Sequence, residues 1–260
     1  MMFQSRQHNI QKELHDLRLE RKNLLFNSGD FFIREAYKTL RTNIIFSLTD
    51  ETASKVILVT SAYQSEGKSF TAANIAISFA QADKKVLLVD CDLRRPKIGR
   101  LLGLHSEIGL SNVLINPSLY SSAVVSTSEK NLKVLQGGRI PPNPSELLGS
   151  RRMQDFLQMV RSQFDYIILD TSPVNMVTDA AVLASFSDGV LFVVRSGKSD
   201  KNNIMRALDQ LRYANAKVLG FVFNGSGHTG GQYGKYSRRR YQYDKYGSYE
   251  LSGSGAEKDS

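Results

Sequence analysis

Six short stretches of the chain are apolar almost without interruption: KVILVT (55–60), KVLLVD (85–90), LKVLQ (132–136), DYIILD (165–170), GVLFVVR (189–195) and KVLGFVFN (217–224). Continuous rather than alternating hydrophobicity marks strands buried on both faces. The intervening segments Ala72–Gln81, Glu146–Arg161, Ala180–Ser185 and Asn202–Asn215 carry helical spacing. Strand and helix in alternation predict an α/β fold, a mostly parallel sheet with helices on both faces. RIPPNPSELL (139–148) predicts a loop that opens a helix, with Asn143 or Ser145 as its cap.

Periodicity also divides the chain into three zones. Residues 1–30 are polar, with Ile10, Leu14, Leu17 and Leu24 on one helical face. That face docks on the main body or on a partner, or stays solvated as a flexible extension. Residues 31–225 carry the globular core, and residues 226–260 lose all periodicity to Gly, Ser, Tyr and Arg, which predicts a flexible tail. A length of 260 residues at 41% hydrophobic suffices for one large core or two modest ones.

The longest apolar runs, Gly189–Val194 and Tyr166–Leu169, are too short to cross a bilayer, and the stretch from Gln4 to Asp16 is too polar for a secretory leader. The single cysteine, Cys91, excludes a disulfide framework and suits a reducing cytosol, and the four histidines lack zinc-ligand spacing. The net charge of +9 fits nucleic acid, an anionic membrane or bound phosphates. Part of it is local, in Lys235, Arg238, Arg239, Arg240 and Lys245 against Asp244. Such a run is most often simply solvated, although arginines among aromatics also suit stacking on single-stranded RNA.

AYQSEGKS (62–69) sits between a buried strand and a helix. A junction of that kind aims backbone N–H groups and a helix dipole at one spot, where phosphate binds. Gly67 lets the backbone approach, Lys68 reaches the β- and γ-phosphates, and the Ser69 hydroxyl takes Mg²⁺. The usual first glycine of the pattern G-x-x-x-x-G-K-[ST] is here Ala62, acceptable where the backbone keeps negative φ. Two strands end in acids, Asp90 and Asp92 after one and Asp170 after the other. Acids at the carboxyl edge of a parallel sheet lie where such sheets bind ligands, and beside a phosphate loop they predict a metal–nucleotide site. Each aspartate alone would be an ordinary cap or turn residue.

The combination resembles the bacterial tyrosine kinases of capsule and exopolysaccharide production, whose fold is that of P-loop NTPases of the partitioning type. The shared strings are the phosphate loop, LLVDCDLR (87–94), IILDTSP (167–173), PPNPSELL (141–148) and a tyrosine-rich C-terminus, together spanning roughly 31–250. Gln64-Ser65 replaces the Pro-Gly often found in that loop. The family's E-x-x-R-x-x-R helix motif, linked to ring-shaped oligomers, reads here as Glu35, Lys38 and Arg41.

The resemblance implies ATP and Mg²⁺ as cofactors, with Gln64, Ser65, Glu66, Gly67, Lys68, Ser69 and Phe70 around the nucleotide. It implies that Lys68 clamps the phosphates, that Ser69, Asp92 and Asp170 hold the metal, and that Asp90 accepts the proton of a tyrosine hydroxyl. The acceptors would be Tyr233, Tyr236, Tyr241, Tyr243, Tyr246 and Tyr249 of the tail. Implied partners are a membrane-anchored adaptor that recruits the chain from the cytoplasm to the membrane, protein tyrosine substrates, a cognate tyrosine phosphatase and further copies in a ring of up to eight, but no nucleic acid. The competing reading is a partitioning-type ATPase switch without kinase activity. Such switches usually carry a further lysine early in the phosphate loop, and 62–66 has none.

Overall fold

Each of the six apolar stretches becomes a strand in the computed structural model, which describes His15, residues 17–48 and residues 54–225. In chain order the elements are α1 (Phe31–Ser47), β1 (Lys55–Ser61), α2 (Lys68–Ala80), β2 (Val86–Asp90), α3 (Ile98–Leu102), α4 (Leu110–Ile115), a 3-10 turn (Pro117–Leu119), α5 (Tyr120–Ala123), β3 (Val124–Ser126), β4 (Leu132–Leu135), α6 (Pro144–Leu148), α7 (Arg151–Arg161), β5 (Tyr166–Asp170), α8 (Asp179–Ala184), β6 (Gly189–Arg195), α9 (Lys201–Tyr213) and β7 (Val218–Asn224). They form one sheet in the order β3-β4-β2-β5-β1-β6-β7. Every neighbouring pair is parallel except β3 with β4.

Successive side chains of a strand point to opposite faces, so each run feeds two cores. Val56 and Leu58 of β1 join Leu87, Val89, Ile167, Leu169 and Phe192 in one of them. Ile57 and Val59 join Leu88, Ile168, Leu191 and Val193 in the other. α4, α7, α8 and α9 cover the first face through Leu110, Phe156, Leu183 and Leu211. α1, α2 and α3 cover the second through Ile44, Phe79 and Ile98. Removing each such aliphatic side chain from water contributes about 1.5–3 kcal/mol, which is why these strands tolerate almost no polar residue.

α2 is buried along nearly its whole length, and Phe79 near its end stacks on Tyr166 with ring centroids 3.9 Å apart. α1 starts at Asp30, whose carboxylate accepts the N–H groups of Phe32 and Ile33. Upstream of it, Leu24 and Leu25 are buried in the same core as Phe79, and the Leu25 N–H donates to Asn74 Oδ1 at 2.8 Å. Leu17 packs against that core, whereas Ile10 and Leu14 lie outside the described residues.

Two sequence expectations are corrected, and a third is made more specific. β7 is not buried on both faces: among the described residues it is an edge strand, on which Phe221 and Phe223 are 47% and 69% exposed. The expected helix over 146–161 is two, α6 and α7, parted at Gly149 and Ser150. Asn143 stands at the N-cap of α6, as expected, but without a side-chain capping bond: its Nδ2 donates to Glu146 Oε2, and the Ser145 hydroxyl turns to Asp179. Among the described residues no helix is long and apolar enough to cross a membrane.

Candidate active site

The carboxyl ends of β1, β2 and β5 meet at one place because the sheet order sets β5 between the other two. β1 runs into the phosphate loop, β2 delivers Asp90 and Asp92, and β5 ends at Asp170.

The loop turns through two left-handed residues, Ser65 at φ 61° and Gly67 at φ 95°. Gly67 is required twice over, since a Cβ there would meet the Asn224 side-chain nitrogen at 1.7 Å. Ala62 is buried and is not among the residues with positive φ, which is the condition for alanine at that place. Glu66 turns inward: its carboxylate accepts the Tyr63 N–H at 2.8 Å and the Ser199 hydroxyl. That arrangement shuts the loop across its own neck and ties it to the segment after β6. Arg195 Nη1 donates to the Ser65 carbonyl at 3.2 Å, Asn224 Nδ2 to the Glu66 carbonyl at 3.2 Å, and Arg95 Nη1 to Gln64 Oε1 at 2.8 Å. Phe70 packs, partly buried, against the second core.

α2 begins at Lys68, so the free N–H groups of its first turn line the inside of the loop. The Lys68 ammonium stands 2.9 Å from Asp92 Oδ2 and 3.7 Å from Asp170 Oδ1, with Ser69 Oγ at 3.4 Å. Burial works to lower the Lys68 pKa, but Asp170, Asp92 and Asp90 outweigh it, and the ammonium form is held above its ordinary range.

The three aspartates are held differently. Asp90 is wholly buried; its Oδ2 accepts the N–H groups of Lys97 and Ile98 at 2.9 Å each, and its Oδ1 that of Asp92 at 3.2 Å. Asp92 accepts the Ser172 hydroxyl at 3.0 Å and the Arg95 N–H at 3.1 Å on Oδ1, which leaves Oδ2 to Lys68. Asp170 is wholly buried, and neither of its oxygens accepts a hydrogen bond. Burial first, then the charge of Asp170, lifts Asp90 to about 8, and burial likewise raises Asp170 against the pull of Lys68. The Cys91 thiol, between two of these acids, is buried and pushed well up by that burial, so it is inert.

The donor set fits a divalent ion that arrives with a nucleotide. The two Asp170 oxygens, which accept no hydrogen bond, lie beside a serine hydroxyl and a second carboxylate, all oxygen donors of the kind Mg²⁺ takes. Among the described residues no three His, Cys, Asp or Glu side chains close around an ion on their own. Mg²⁺ ordinarily completes its shell with phosphate oxygens and water instead.

The structure thus brings Lys68, Ser69, Asp90, Asp92 and Asp170 together. Glu35 and Lys38 pair with each other at 2.6 Å on α1, and Arg41 donates to the carbonyl and hydroxyl of Ser78 on α2. The six tail tyrosines lie outside the described residues. Sequence reasoning missed Asp179, Ser145, Ser172, Arg195, Ser199 and Asn224, which reach the site from distant segments. Ser145 and Ser172 stood inside strings singled out for the site, PPNPSELL and IILDTSP, whereas Arg195 and Asn224 ended apolar stretches read only as strands.

Residues 52–247 match the protein family described as ParA, NUBPL iron-transfer P-loop NTPase. The fold and that match imply nucleotide binding with a divalent metal. Tyrosine-protein kinase YwqD of Bacillus subtilis (strain 168) is 40% identical over 225 residues, 85% of this chain and 94% of the relative. The chimerical protein CapA2B2 superposes with a TM-score of 0.71 at 37% identity, covering 76% of this chain and 86% of that one. The kinase domain of the Escherichia coli tyrosine kinase ETK gives a TM-score of 0.72 at 32% identity, over 77% of this chain and 78% of that one. With the phosphate loop and its three acids in place, these likenesses mean that the chain belongs to the family of bacterial tyrosine-protein kinases.

Proposed function

We propose that the chain transfers the γ-phosphoryl group of ATP, carried with Mg²⁺, to tyrosines of its own C-terminal segment and of other proteins. The observation that carries this reading is the Asp170 carboxylate, buried beside Lys68, Ser69 and Asp92 with neither oxygen accepting a hydrogen bond. In this reading the triphosphate lies along Gln64–Phe70, receiving N–H groups from the loop and from the first turn of α2. Lys68 would turn from Asp92 to the β- and γ-phosphates, and Ser69, Asp92 and Asp170 would hold the ion directly or through water. Bound there, the ion would supply neutralisation of phosphate charge and would favour the anionic form of the acids around it.

Asp90 takes the proton of the acceptor phenol, whose ordinary pKa of about 10 keeps it protonated at neutral pH. Phosphoryl transfer needs little more than this positioning and charge neutralisation. Residues 31–225 act as the kinase core and 226–260 as the acceptor segment, through Tyr233, Tyr236, Tyr241, Tyr243, Tyr246 and Tyr249. Each phosphate adds about −1.5 to −2 charge, enough to turn that basic segment acidic. The family resemblance supports a membrane adaptor that brings the chain from the cytoplasm to the membrane's inner face, a role in capsule or exopolysaccharide production, and a tyrosine phosphatase that reverses the modification. It also supports a ring in which Glu35, Lys38 and Arg41 exchange their present partners for a neighbouring subunit, and which loosens as the tails gain charge.

Incubation with γ-labelled ATP and Mg²⁺, with the adaptor's cytosolic fragment added, tests the reading. Phosphotyrosine is expected in the wild type and absent in Lys68→Met. Replacing the six tail tyrosines by Phe removes most of the label while an added substrate is still phosphorylated. Label retained by Lys68→Met, or found on serine, overturns the assignment. Light scattering before and after phosphorylation tests the ring: an unchanged mass refutes its loosening.

A further inference from the structure

We propose that Asp179, acting with Arg94 through Ser172, is a positioning residue for the kinase reaction, a buried clamp that fixes Asp92 where the nucleotide's divalent ion is held. The inference rests on the metal role given to Asp92 above.

Asp179 opens α8 and is wholly buried. Three donors converge on its carboxylate. Arg94 grips it with Nε at 3.0 Å from Oδ2 and Nη2 at 3.4 Å from Oδ1. The Ser145 hydroxyl donates to Oδ1, and the Ser172 hydroxyl lies 3.2 Å from Oδ2. Arg94 follows β2, Ser145 belongs to α6 and Ser172 follows β5, so one carboxylate gathers three segments at the carboxyl edge of the sheet. Ser172 Oγ is also 3.0 Å from Asp92 Oδ1. A hydroxyl has one proton, and here two carboxylates share it.

A carboxylate so deeply buried persists only when paired and hydrogen-bonded, and the planar fork of arginine supplies both. Asp179 is thereby a fixed acceptor that orients the Ser172 hydroxyl, and Ser172 restrains Asp92. The consequence appears when Lys68 turns to the phosphates. Asp92 Oδ2 then loses its ammonium partner, whereas Oδ1 keeps the Ser172 hydroxyl and the Arg95 N–H. One oxygen stays anchored while the other is freed toward the ion. Such preset geometry lowers the penalty of assembling the reacting complex. Removing outer partners of this kind typically weakens metal affinity or activity by about 10–100-fold.

The test uses the full chain. Mn²⁺ binding in the presence of ADP is followed by the electron paramagnetic resonance of the free ion, and metal-free nucleotide affinity by a fluorescent ATP analogue. Ser172→Ala deletes the link between the clamp and Asp92 without changing charge; Mn²⁺ binding is expected to weaken about tenfold with metal-free nucleotide affinity unchanged. Asp179→Asn is expected to do the same and to lower kcat while KM for ATP holds. Ser172→Thr, which restores the hydroxyl, is expected to recover Mn²⁺ binding. Asp92→Asn is the reference. If it leaves Mn²⁺ binding intact, the metal reading itself falls. If Asp92→Asn weakens binding but Ser172→Ala and Asp179→Asn match the wild type, the clamp alone is refuted. A lower melting temperature in Asp179→Asn with metal affinity intact would reduce the network to a tie between loops, and that too overturns the proposal.

Discussion

Asp90 and Asp170 stand opposite one another in register on the adjacent strands β2 and β5, and neither carboxylate reaches solvent. Two acids so placed resist ionising together. Asp90, lifted from its ordinary 3.8 to about 8 by burial and then by Asp170, keeps in the folded chain a proton that the unfolded chain gives up near pH 4. Where the folded state binds more protons, stability falls with rising pH.

The ligand-free protein is therefore expected to lose stability from this pair as pH climbs from about 4 to about 8, with the full contribution present only below that window. Mg²⁺ with ADP favours the anionic forms, so the rise in melting temperature on adding both should be larger at pH 8.5 than at pH 6. Thermal melts across that range check it. A ligand-induced rise that shrinks with pH would contradict the arrangement, and Asp90→Asn should flatten the slope of the ligand-free curve.

Gly67→Ala places a methyl group where the Asn224 amide now sits, at a left-handed φ of 95°. The backbone alone makes the change unfavourable by about 1–2 kcal/mol, and the clash adds to it. Nucleotide binding should be lost together with a fall in melting temperature. Pairing the change with Asn224→Gly should recover part of the stability, which calorimetry of the double variant reads directly.

Ser65 presents the converse case. It holds φ 61° in an exposed part of the loop, at the second position of the Gln64-Ser65 pair. A non-glycine residue there is disfavoured by about 1–2 kcal/mol. Glycine removes that strain but loosens the unfolded chain by about 0.4–1 kcal/mol. The difference predicts that Ser65→Gly stabilises the protein by roughly 0.5–1 kcal/mol. A denaturation midpoint that moves down would show that the serine side chain contributes something the loop geometry does not reveal.

Asn74 lies wholly buried in α2, and its Oδ1 accepts the N–H of Leu25. Asn74→Ala leaves that buried donor unmet, at a loss of about 1–3 kcal/mol. The effect should be strongest near Leu24 and Leu25, so amide exchange over 17–28 is expected to quicken more than exchange in β1 or β5. Uniform quickening would contradict a local tether.

What the sequence made readable follows a physical division. Strands covered on both faces must be apolar at every position, so β1, β2, β5 and β6 announced themselves. The same signature misled for β7, because an apolar border strand reads like an interior one until its neighbours are known. β3, three residues long, and α3, five residues long, are too short for any period to show and are fixed by what they pack against. In the candidate site, Lys68, Ser69, Asp90, Asp92 and Asp170 were legible because strand ends and loop lie in contiguous strings. Asp179 was not: its partner Arg94 is 85 residues away, and only the closing of the sheet edge joins them. The break between α6 and α7 was missed because Gly149 and Ser150 interrupt a pattern whose apolar positions continue on either side.

β7 has a consequence for handling the protein. Among the described residues it pairs only with β6, and its exposed phenylalanines leave one margin of the sheet greasy and open to further strand pairing. Proteolysis would make the effect visible: a chain clipped before Val218 would bare Gly189–Val194, apolar throughout, as its new margin. Such a fragment would clump rather than dissolve, so β7, half-wet as it is, serves the molecule as the selvedge that keeps a woven cloth from unravelling.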